Sequence, residues 1–192
     1  MRARGFALVE MVVGSVMMVT ILLAVMQTVS SSARAARVTT SQSSVMMKLN
    51  RALATIRRDL TYSGLSTCRA VPPGESNDGP VADGVTYDNF RSAPVINVTA
   101  AGIQYGPSVM LSLAPEPGEP IDGNDSDGDG LVDEQQLVRT DAAGAVVLLG
   151  GVTAMAFTKN EDVISIAITA AAPGEGRSFT HRVNAVVRMV NN

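Results

Sequence analysis

The stretch that decides the fold lies at the start of the chain, where residues 2–27 read RARGFALVEMVVGSVMMVTILLAVMQ. Within residues 6–29 the single ionisable side chain is Glu10, and all the others are apolar or small and polar. A helix rises about 1.5 Å per residue, so about 20 apolar residues cross the hydrocarbon core of a bilayer. Residues 6–29 are therefore predicted to form a transmembrane helix.

Glu10 weighs against two simpler interpretations of this helix, a removable signal peptide and an ordinary single-span anchor. The apolar region of a signal peptide usually spans about 7–15 residues, and an acidic residue inside it is poorly explained by that role. A carboxylate within the hydrocarbon costs about 3 kcal/mol on insertion scales, so a carboxylate there indicates a function and a partner. Both interpretations stay open as minor alternatives.

Residues 4–10, Arg-Gly-Phe-Ala-Leu-Val-Glu, resemble the prepilin processing motif of type IV pilins and type II secretion pseudopilins. In that family a membrane prepilin peptidase cuts after the glycine of a short basic leader, and the new N-terminal phenylalanine is N-methylated. The resemblance implies a leader of residues 1–5, cleavage between Gly5 and Phe6, and Glu10 as the fifth residue of the mature protein. It also implies that Glu10 meets the amine of Phe6 on a neighbouring subunit, which compensates a costly buried charge.

The pattern after the apolar segment predicts that the same helix continues as an amphipathic half over residues 30–63. Apolar residues recur there at spacings of three and four, which places them on one helical face: Met46, Leu49, Leu53, Ile56 and Leu60. We expect Gly64 to end the helix. A coiled-coil arm is the alternative for residues 40–62, although barely three heptads are present. Residues 58–64, followed by Cys68, resemble the end of this helix in PilW-type minor pilins.

The sequence pattern changes at residue 64. Residues 64–192 consist of short segments with high β-propensity that are separated by Pro, Gly, Asn and Asp. The predicted strands are residues 85–90, 95–99, 109–113, 136–140, 145–149, 152–158, 163–169 and 179–190. The last two are expected to pair as an antiparallel hairpin. The predicted class is α+β, with one long helix packed on a mostly antiparallel sheet, and the resemblance implies the pilin fold.

A second concentration of chemistry is found at residues 121–136, IDGNDSDGDGLVDEQQ. Counted from Asp125 as position one, the segment has the ligand order of a calcium loop. Carboxylates stand at positions one, three, five and nine, which are Asp125, Asp127, Asp129 and Asp133. Position six is Gly130, and position seven is Leu131, which would contribute its backbone carbonyl. Position twelve is Gln136 where an EF-hand has a bidentate glutamate, and Asp122 or Glu134 is available to complete the shell. Hard oxygen ligands favour Ca²⁺ over zinc or copper, and a solvated acidic turn is the alternative.

Composition narrows the function classes further. The net charge is −3 and the Lys and Arg residues are scattered along the chain, so the sequence predicts no basic surface for binding nucleic acid. The single cysteine, Cys68, permits no intramolecular disulfide. The one histidine, His181, lies in a strand-like run without a nucleophile motif nearby, so an enzyme is not expected.

The resemblance implies a structural subunit of a bacterial filament, namely a minor pilin that primes assembly of a type IV pilus or lies near its tip. The implied partners are other minor pilins and the major pilin, a tip adhesin, the prepilin peptidase and the assembly platform of the inner membrane. Its place would be the inner membrane, with a cytoplasmic N-terminus, and afterwards the periplasm and the surface pilus. A type II secretion pseudopilin of the J kind is the first alternative, and a membrane-anchored calcium-binding domain without a filament role is the second.

Overall fold

The computed structural model of the protein describes residues 4–71, 79–126, 128, 131–173 and 178–189. Its elements in chain order are helix α1 (Arg4–Thr61), a 3-10 turn (Leu65–Thr67) and strands β1 (Arg69–Ala70), β2 (Gly79–Pro80), β3 (Thr86–Tyr87), β4 (Phe90–Ser92), β5 (Val95–Thr99), β6 (Gly102–Tyr105), β7 (Val109–Pro115), β8 (Gln135–Asp141), β9 (Gly144–Asn160), β10 (Val163–Ala172) and β11 (Phe179–Arg188). The chain divides into two compact units, Met1–Thr40 and Ser41–Asn192.

The first unit contains the apolar part of α1. All side chains from residue 8 to residue 37 are exposed, and this stretch is long and apolar enough to cross a membrane. Its hydroxyl groups are satisfied within the helix, since Ser15, Thr20 and Thr28 donate to the carbonyl groups of residues 12, 16 and 24 at 2.6–2.9 Å. Such bonds remove the cost of carrying a polar side chain in an apolar medium.

The second unit is an antiparallel sheet with residues 41–61 of α1 packed on one face, which confirms the predicted α+β class. The helix buries Leu49, Ala52, Leu53, Ile56 and Leu60. The sheet meets them with large apolar side chains from β4 and β7 to β11: Phe90, Leu111, Leu137, Met155, Phe157, Ile164, Ile166, Ile168 and Val187. Of the predicted apolar stripe, Met46 alone stays exposed, at 37%.

Among the described residues nine strands form the main sheet, in the order β11-β10-β9-β8-β7-β4-β1-β2, with β3 paired to β9. Neighbouring long strands are antiparallel and consecutive in sequence, so short turns suffice to join most of them. The predicted C-terminal hairpin is confirmed, with Val163 opposite Arg188 and Ala172 opposite Phe179. Strands β5 and β6 form a separate two-stranded hairpin.

The predicted strands 145–149 and 152–158 are one continuous strand, β9, with an irregularity in pairing at its centre. Gly150 and Gly151 mark that point, and Gly151 has a φ of 68°. A Cβ on Gly151 would lie 2.9 Å from the carbonyl oxygen of Ala171. The gap between the two predicted strands is therefore a bulge within one strand.

The end of α1 is closed by the Ser63 side chain. Its hydroxyl donates to the carbonyl oxygen of Asp59 at 2.6 Å and lies 3.0 Å from the hydroxyl of Ser92 on β4. Both serines are buried. A carbonyl group of the last helical turn, which has no partner within the helix, is thereby satisfied by a side chain that also joins the sheet.

Asp59 adds an ion pair between the same end of the helix and the sheet. The Nε of Arg139 on β8 lies 2.6 Å from its Oδ2, and Arg139 also pairs with Asp141. The hydrogen bond to Asp59 raises the pKa of the Arg139 guanidinium above its ordinary value, and Arg139 lowers the pKa of Asp141. Of residues 58–64, whose resemblance to minor pilins is noted above, Asp59 therefore contributes an ion pair to the helix–sheet contact.

Gly64 follows the helix as expected but for a different reason. The helix ends at Thr61, and Gly64 has φ −81° and ψ 135°, an extended conformation and not the left-handed one of a glycine cap. A Cβ at this position would lie 2.4 Å from Cε1 of Tyr105. Tyr105 is held there by a 2.8 Å hydrogen bond between its hydroxyl and that of Ser66. Gly64 is required by the ring packed against it.

We predict that Gly64→Ala lowers the free energy of unfolding by about 1–3 kcal/mol, because the new methyl group must displace the Tyr105 ring. Urea unfolding of the full-length protein in detergent measures this change. Gly79→Ala is the matched control, since no atom outside its chain neighbours lies within 4 Å of a Cβ there. Equal losses in the two variants would contradict a steric role for Gly64.

Candidate functional site

The processing motif lies at the first turns of α1. Gly5 and Phe6 are within the helix, and Glu10 follows with an exposed side chain between exposed Val9 and Met11. Among the described residues no ion pair involves Glu10. The carboxylate therefore stands on an apolar helical surface with its compensation not supplied by the described part of its own chain.

The acidic loop between β7 and β8 is organised by a residue that the calcium pattern does not contain, Glu119. Its side chain is 1% exposed. Oε1 accepts the backbone N–H of Asp133 at 3.2 Å, and Oε2 accepts that of Ser126 at 3.0 Å. One buried carboxylate thus joins the two sides of the loop. Glu119 is buried because the loop folds around it. The neighbouring residues, Gly118 and Pro120, give no sequence signal that predicts this burial.

Several carboxylates of the loop bind backbone N–H groups. Asp133 has a positive backbone φ of 54°. Its Oδ1 accepts hydrogen bonds from the backbone N–H groups of Asp122 and Gly123 at 2.8 Å each. Oδ1 of Asp122 accepts from Asn124 at 3.0 Å, and Oδ1 of Asp125 accepts from the N–H of residue 128 at 2.6 Å. These bonds fold the chain back on itself and help to offset the crowding of negative charge.

A second glutamate closes the base of the loop on the sheet. Oε2 of Glu116 accepts a hydrogen bond from the N–H of Gly151 at 3.1 Å. The backbone N–H of Glu116 donates to the carbonyl oxygen of Glu134 at 3.4 Å. A Cβ on Gly150 would lie 2.8 Å from Oε1 of Glu116. The bulge of β9 therefore also makes room for the carboxylate that holds the loop.

Three further predicted calcium ligands lie within the described residues. The side chains of Leu131 and Glu134 are buried, and Gln136 lies within β8 opposite Ala114, where its amide donates to the carbonyl of residue 115 at 3.4 Å. Asp127 and Asp129, two of the four central ligands, lie outside the described residues. Within the part of the chain that the structure describes, no three His, Cys, Asp or Glu side chains are grouped to hold a metal ion.

The donor chemistry of the loop nevertheless suits a hard cation. Its side chains offer carboxylate and amide oxygens, with Asp122, Asp125 and Asp133 at its exposed or half-buried surface. Gln136, position twelve of the predicted loop, lies in β8. Asp125 and Asp133 are thus the described residues among the four central carboxylates of the predicted calcium pattern, and an Oδ1 of each accepts a backbone N–H group.

Of the two other residues noted for their chemistry, Cys68 lies in the helix–sheet core and His181 is half-buried on the sheet. Cys68 is buried, with its Sγ 3.8 Å from Sδ of Met189, and burial raises the pKa of its thiol to about 12. A thiol with that pKa stays protonated at neutral pH and is a poor nucleophile. His181 lies on β11 opposite Ala170, and its Nε2 is buried without a hydrogen-bond partner in the described part of the chain.

Comparison with known proteins gave no match to a family model, to a curated protein or to a solved structure. What the described residues supply is an exposed apolar helix carrying one carboxylate, and an antiparallel sheet with an acidic loop. The candidate functional sites are therefore Glu10 and the loop of residues 116–134.

We predict that Glu119→Gln loosens the acidic loop, because the amide replaces one acceptor oxygen by a donor that faces a backbone N–H. Losing one hydrogen bond to a charged group costs about 1.5–3 kcal/mol, so amide hydrogen exchange at residues 126 and 133 should accelerate by about tenfold or more. Mass spectrometry of exchanged peptides measures this. Glu161→Gln, at an exposed turn, is the control and should leave these peptides unchanged. Equal protection in both variants would contradict the role of Glu119.

Proposed function

We propose that the protein is a pilin-like filament subunit, and specifically a minor pilin of the PilW kind that primes assembly of a type IV pilus or lies near its tip. The observation that carries the proposal is Glu10, the one ionisable side chain of residues 6–29, placed five residues after Gly5 in the motif of residues 4–10. The peptidase would cleave after Gly5 and expose Phe6 as the methylated N-terminus.

The energetics of Glu10 support an intersubunit role. Its neighbours on α1 are exposed and apolar, and none of the described ion pairs includes it. A carboxylate in such a setting is unfavourable unless an opposite charge meets it. The free amine of Phe6 on an adjacent copy would provide that charge and would set the axial position of one subunit against the next.

The second unit supports the same proposal. Residues 41–61 of α1 are packed on one face of an antiparallel sheet, as the pilin fold requires, and Asp59 binds Arg139 at the end of the helix. The sequence of residues 58–64 favours a minor pilin over a major pilin, because it resembles the end of this helix in PilW-type minor pilins. A type II secretion pseudopilin of the J kind would share all these features and is the alternative. Its neighbours would be other pseudopilins instead of pilins, and the inner membrane would be its first location in either case.

The processing prediction tests the filament proposal directly. Mass spectrometry of the protein purified from membranes should find residue 6 as an N-methylated N-terminus, and Gly5→Leu should leave a longer, unprocessed species. Gly14→Leu is the matched control, because Gly14 lies in the same helix with open space around it and outside the motif. An intact leader on the mature wild-type protein would contradict both filament interpretations and favour a membrane-anchored domain. A deletion strain distinguishes the pilin from the pseudopilin. The strain should lose surface pili if the protein is a pilin, and it should accumulate secretion substrates in the periplasm if the protein is a pseudopilin.

Calcium binding by the acidic loop is part of the proposal, with Asp125, Asp127, Asp129 and Asp133 as ligands and Leu131 contributing its carbonyl. Carboxylates about 4 Å apart repel by about 4 kcal/mol at an effective dielectric of 20, and a divalent cation removes that cost. Without a bidentate residue at position twelve, the dissociation constant should fall in the weak range of about 10⁻⁴–10⁻³ M. The ion would close the loop and would have no catalytic role.

We predict that calcium at a hundred times its dissociation constant stabilises the protein by about 2.7 kcal/mol. Thermal melting of the full-length protein in detergent, with calcium and with chelator, measures the effect. The double variant Asp127→Ala/Asp129→Ala should abolish the calcium-dependent shift, whereas Asp88→Ala, exposed and outside the loop, should preserve it. Identical curves in calcium and chelator for the wild type would reduce the loop to a solvated acidic turn.

A further inference from the structure

Strands β5 (Val95–Thr99) and β6 (Gly102–Tyr105) form a two-stranded hairpin that is not part of the main sheet. The hairpin belongs to an uncharged segment, because residues 92–115 contain no Asp, Glu, Lys, Arg or His. Outside α1, the two most exposed large apolar side chains among the described residues are Val98 at 68% and Ile96 at 65%, both on β5. An exposed apolar strand without charge invites pairing with other chains, and natural proteins protect such strands.

The same strand contains an acceptor motif for an N-linked glycan. Residues 97–99 read Asn-Val-Thr, which matches Asn-x-Ser/Thr with x other than Pro. The side chains of Asn97 and Thr99 are both exposed. Because side chains alternate along a strand, these two lie on one face of β5 and Val98 lies on the other. The acceptor amide and the hydroxyl group are therefore presented together at the surface.

The Asn97 amide is weakly held, and the space beside it is open. Its Nδ2 lies 3.5 Å from Oε1 of Gln104, which is longer than the usual N–H···O distance of about 2.7–3.2 Å. The Thr99 hydroxyl donates to the carbonyl oxygen of Gly102 at 3.1 Å, within the hairpin itself. A Cβ on Gly102 would meet no atom within 4 Å outside its chain neighbours. The motif therefore has room for a bulky group.

The chain contains one other such motif, at residues 124–126, and its acceptor amide is held differently. Nδ2 of Asn124 donates to Oδ1 of Asp122 at 3.1 Å. The backbone N–H of Ser126 donates to the buried carboxylate of Glu119 at 3.0 Å. An amide bound to a carboxylate must break that bond before its nitrogen reacts, and a hydrogen bond to a charged group is stronger than one to a neutral group. The local structure therefore favours Asn97 as the acceptor.

We propose that Asn97 carries an N-linked glycan, transferred from a sugar that is joined to a lipid pyrophosphate. Nδ2 of Asn97 attacks the anomeric carbon of the sugar and forms a C–N bond. The C–O bond to the pyrophosphate breaks, the lipid pyrophosphate leaves, and Nδ2 gives one proton to a base of the transferring enzyme. The glycan is bulky and hydrated, so it protects the uncharged hairpin from pairing with another chain. The inference requires that residues 64–192 cross the membrane, and it does not require the filament proposal.

The first measurement is mass spectrometry of the protein purified from membranes of the cells that naturally express it. Trypsin leaves both motifs on one fragment, residues 92–139, because no Lys or Arg lies between its ends. Chymotrypsin separates the motifs, since cleavage after Phe90 and Tyr105 releases residues 91–105 with Asn97 as their single asparagine. This peptide should be heavier than its unmodified mass by one oligosaccharide, and electron-transfer fragmentation should place the added mass on Asn97.

Variants expressed in the same cells test the chemistry of the motif. Asn97→Gln moves the amide out of the motif and Thr99→Ala removes the hydroxyl group, so each should lose the whole added mass. Thr99→Ser retains a hydroxyl group and should keep the glycan. Asn160→Gln is the matched control and should also keep it, because Asn160 is exposed and Asp162, not Ser or Thr, stands two residues after it.

Three results would overturn the proposal. The first is an unmodified peptide of residues 91–105 in the wild type, which decides the question even if a variant fails to accumulate. The second is an added mass on Asn124 and none on Asn97. The third is an added mass that Asn97→Gln keeps and Thr99→Ala loses, which would assign an O-linked sugar to Thr99. None of these results changes the N-terminus of the mature protein, so failure here is distinguishable from failure of the filament proposal.

Discussion

The structure depends on the burial of one face of α1 against the sheet. Each large aliphatic side chain removed from water contributes about 1.5–3 kcal/mol, and Leu49, Leu53, Ile56 and Leu60 are almost completely buried. The strands supply the other half of this contact from alternate positions, as with Ile164, Ile166 and Ile168 on β10. Without the helix, this face of the sheet would expose a continuous apolar surface.

Polar contacts at the end of the helix then fix how it sits on the sheet. Ser63 and Asp59 both act there, the first through its hydrogen bond to Ser92 on β4 and the second through Arg139 on β8. Tyr105 packs so closely on Gly64 that no side chain fits between them. These contacts are specific in direction, whereas hydrophobic burial is not, so they select one register of helix on sheet.

Charge plays three separate roles in this molecule. Glu10 is a single carboxylate on an apolar helical surface, Glu119 is a buried carboxylate that accepts two backbone N–H groups, and Asp122 is an exposed carboxylate that accepts the N–H of Asn124. The environment of each carboxylate decides its role. A carboxylate that accepts N–H groups of its own chain stabilises the local fold, whereas Glu10, which has no ion pair among the described residues, is available to a partner of opposite charge.

The sequence by itself determined the elements that depend on local pattern. The apolar run of residues 6–29, the spacing of Leu49, Leu53, Ile56 and Leu60 and the alternation in the last two strands were enough to predict the helix, its buried face and the hairpin, because these signals repeat with the period of the element. The motif at residues 4–10 and the calcium pattern are equally local, and they indicate chemistry without locating it in space.

Tertiary structure decided what depends on residues distant in sequence. Three contacts join residues that lie far apart in sequence: Asp59 pairs with Arg139, the ring of Tyr105 packs over Gly64, and Glu116 accepts the N–H of Gly151. The burial of Glu119 likewise depends on residues seven and fourteen positions further along the loop. No local pattern encodes such contacts, because each is set by the register of strands and the placement of the helix upon them. The sequence therefore determined which segments form the helix and the sheet, and the packing of one on the other decided which carboxylates are satisfied within the chain and which remain at its surface.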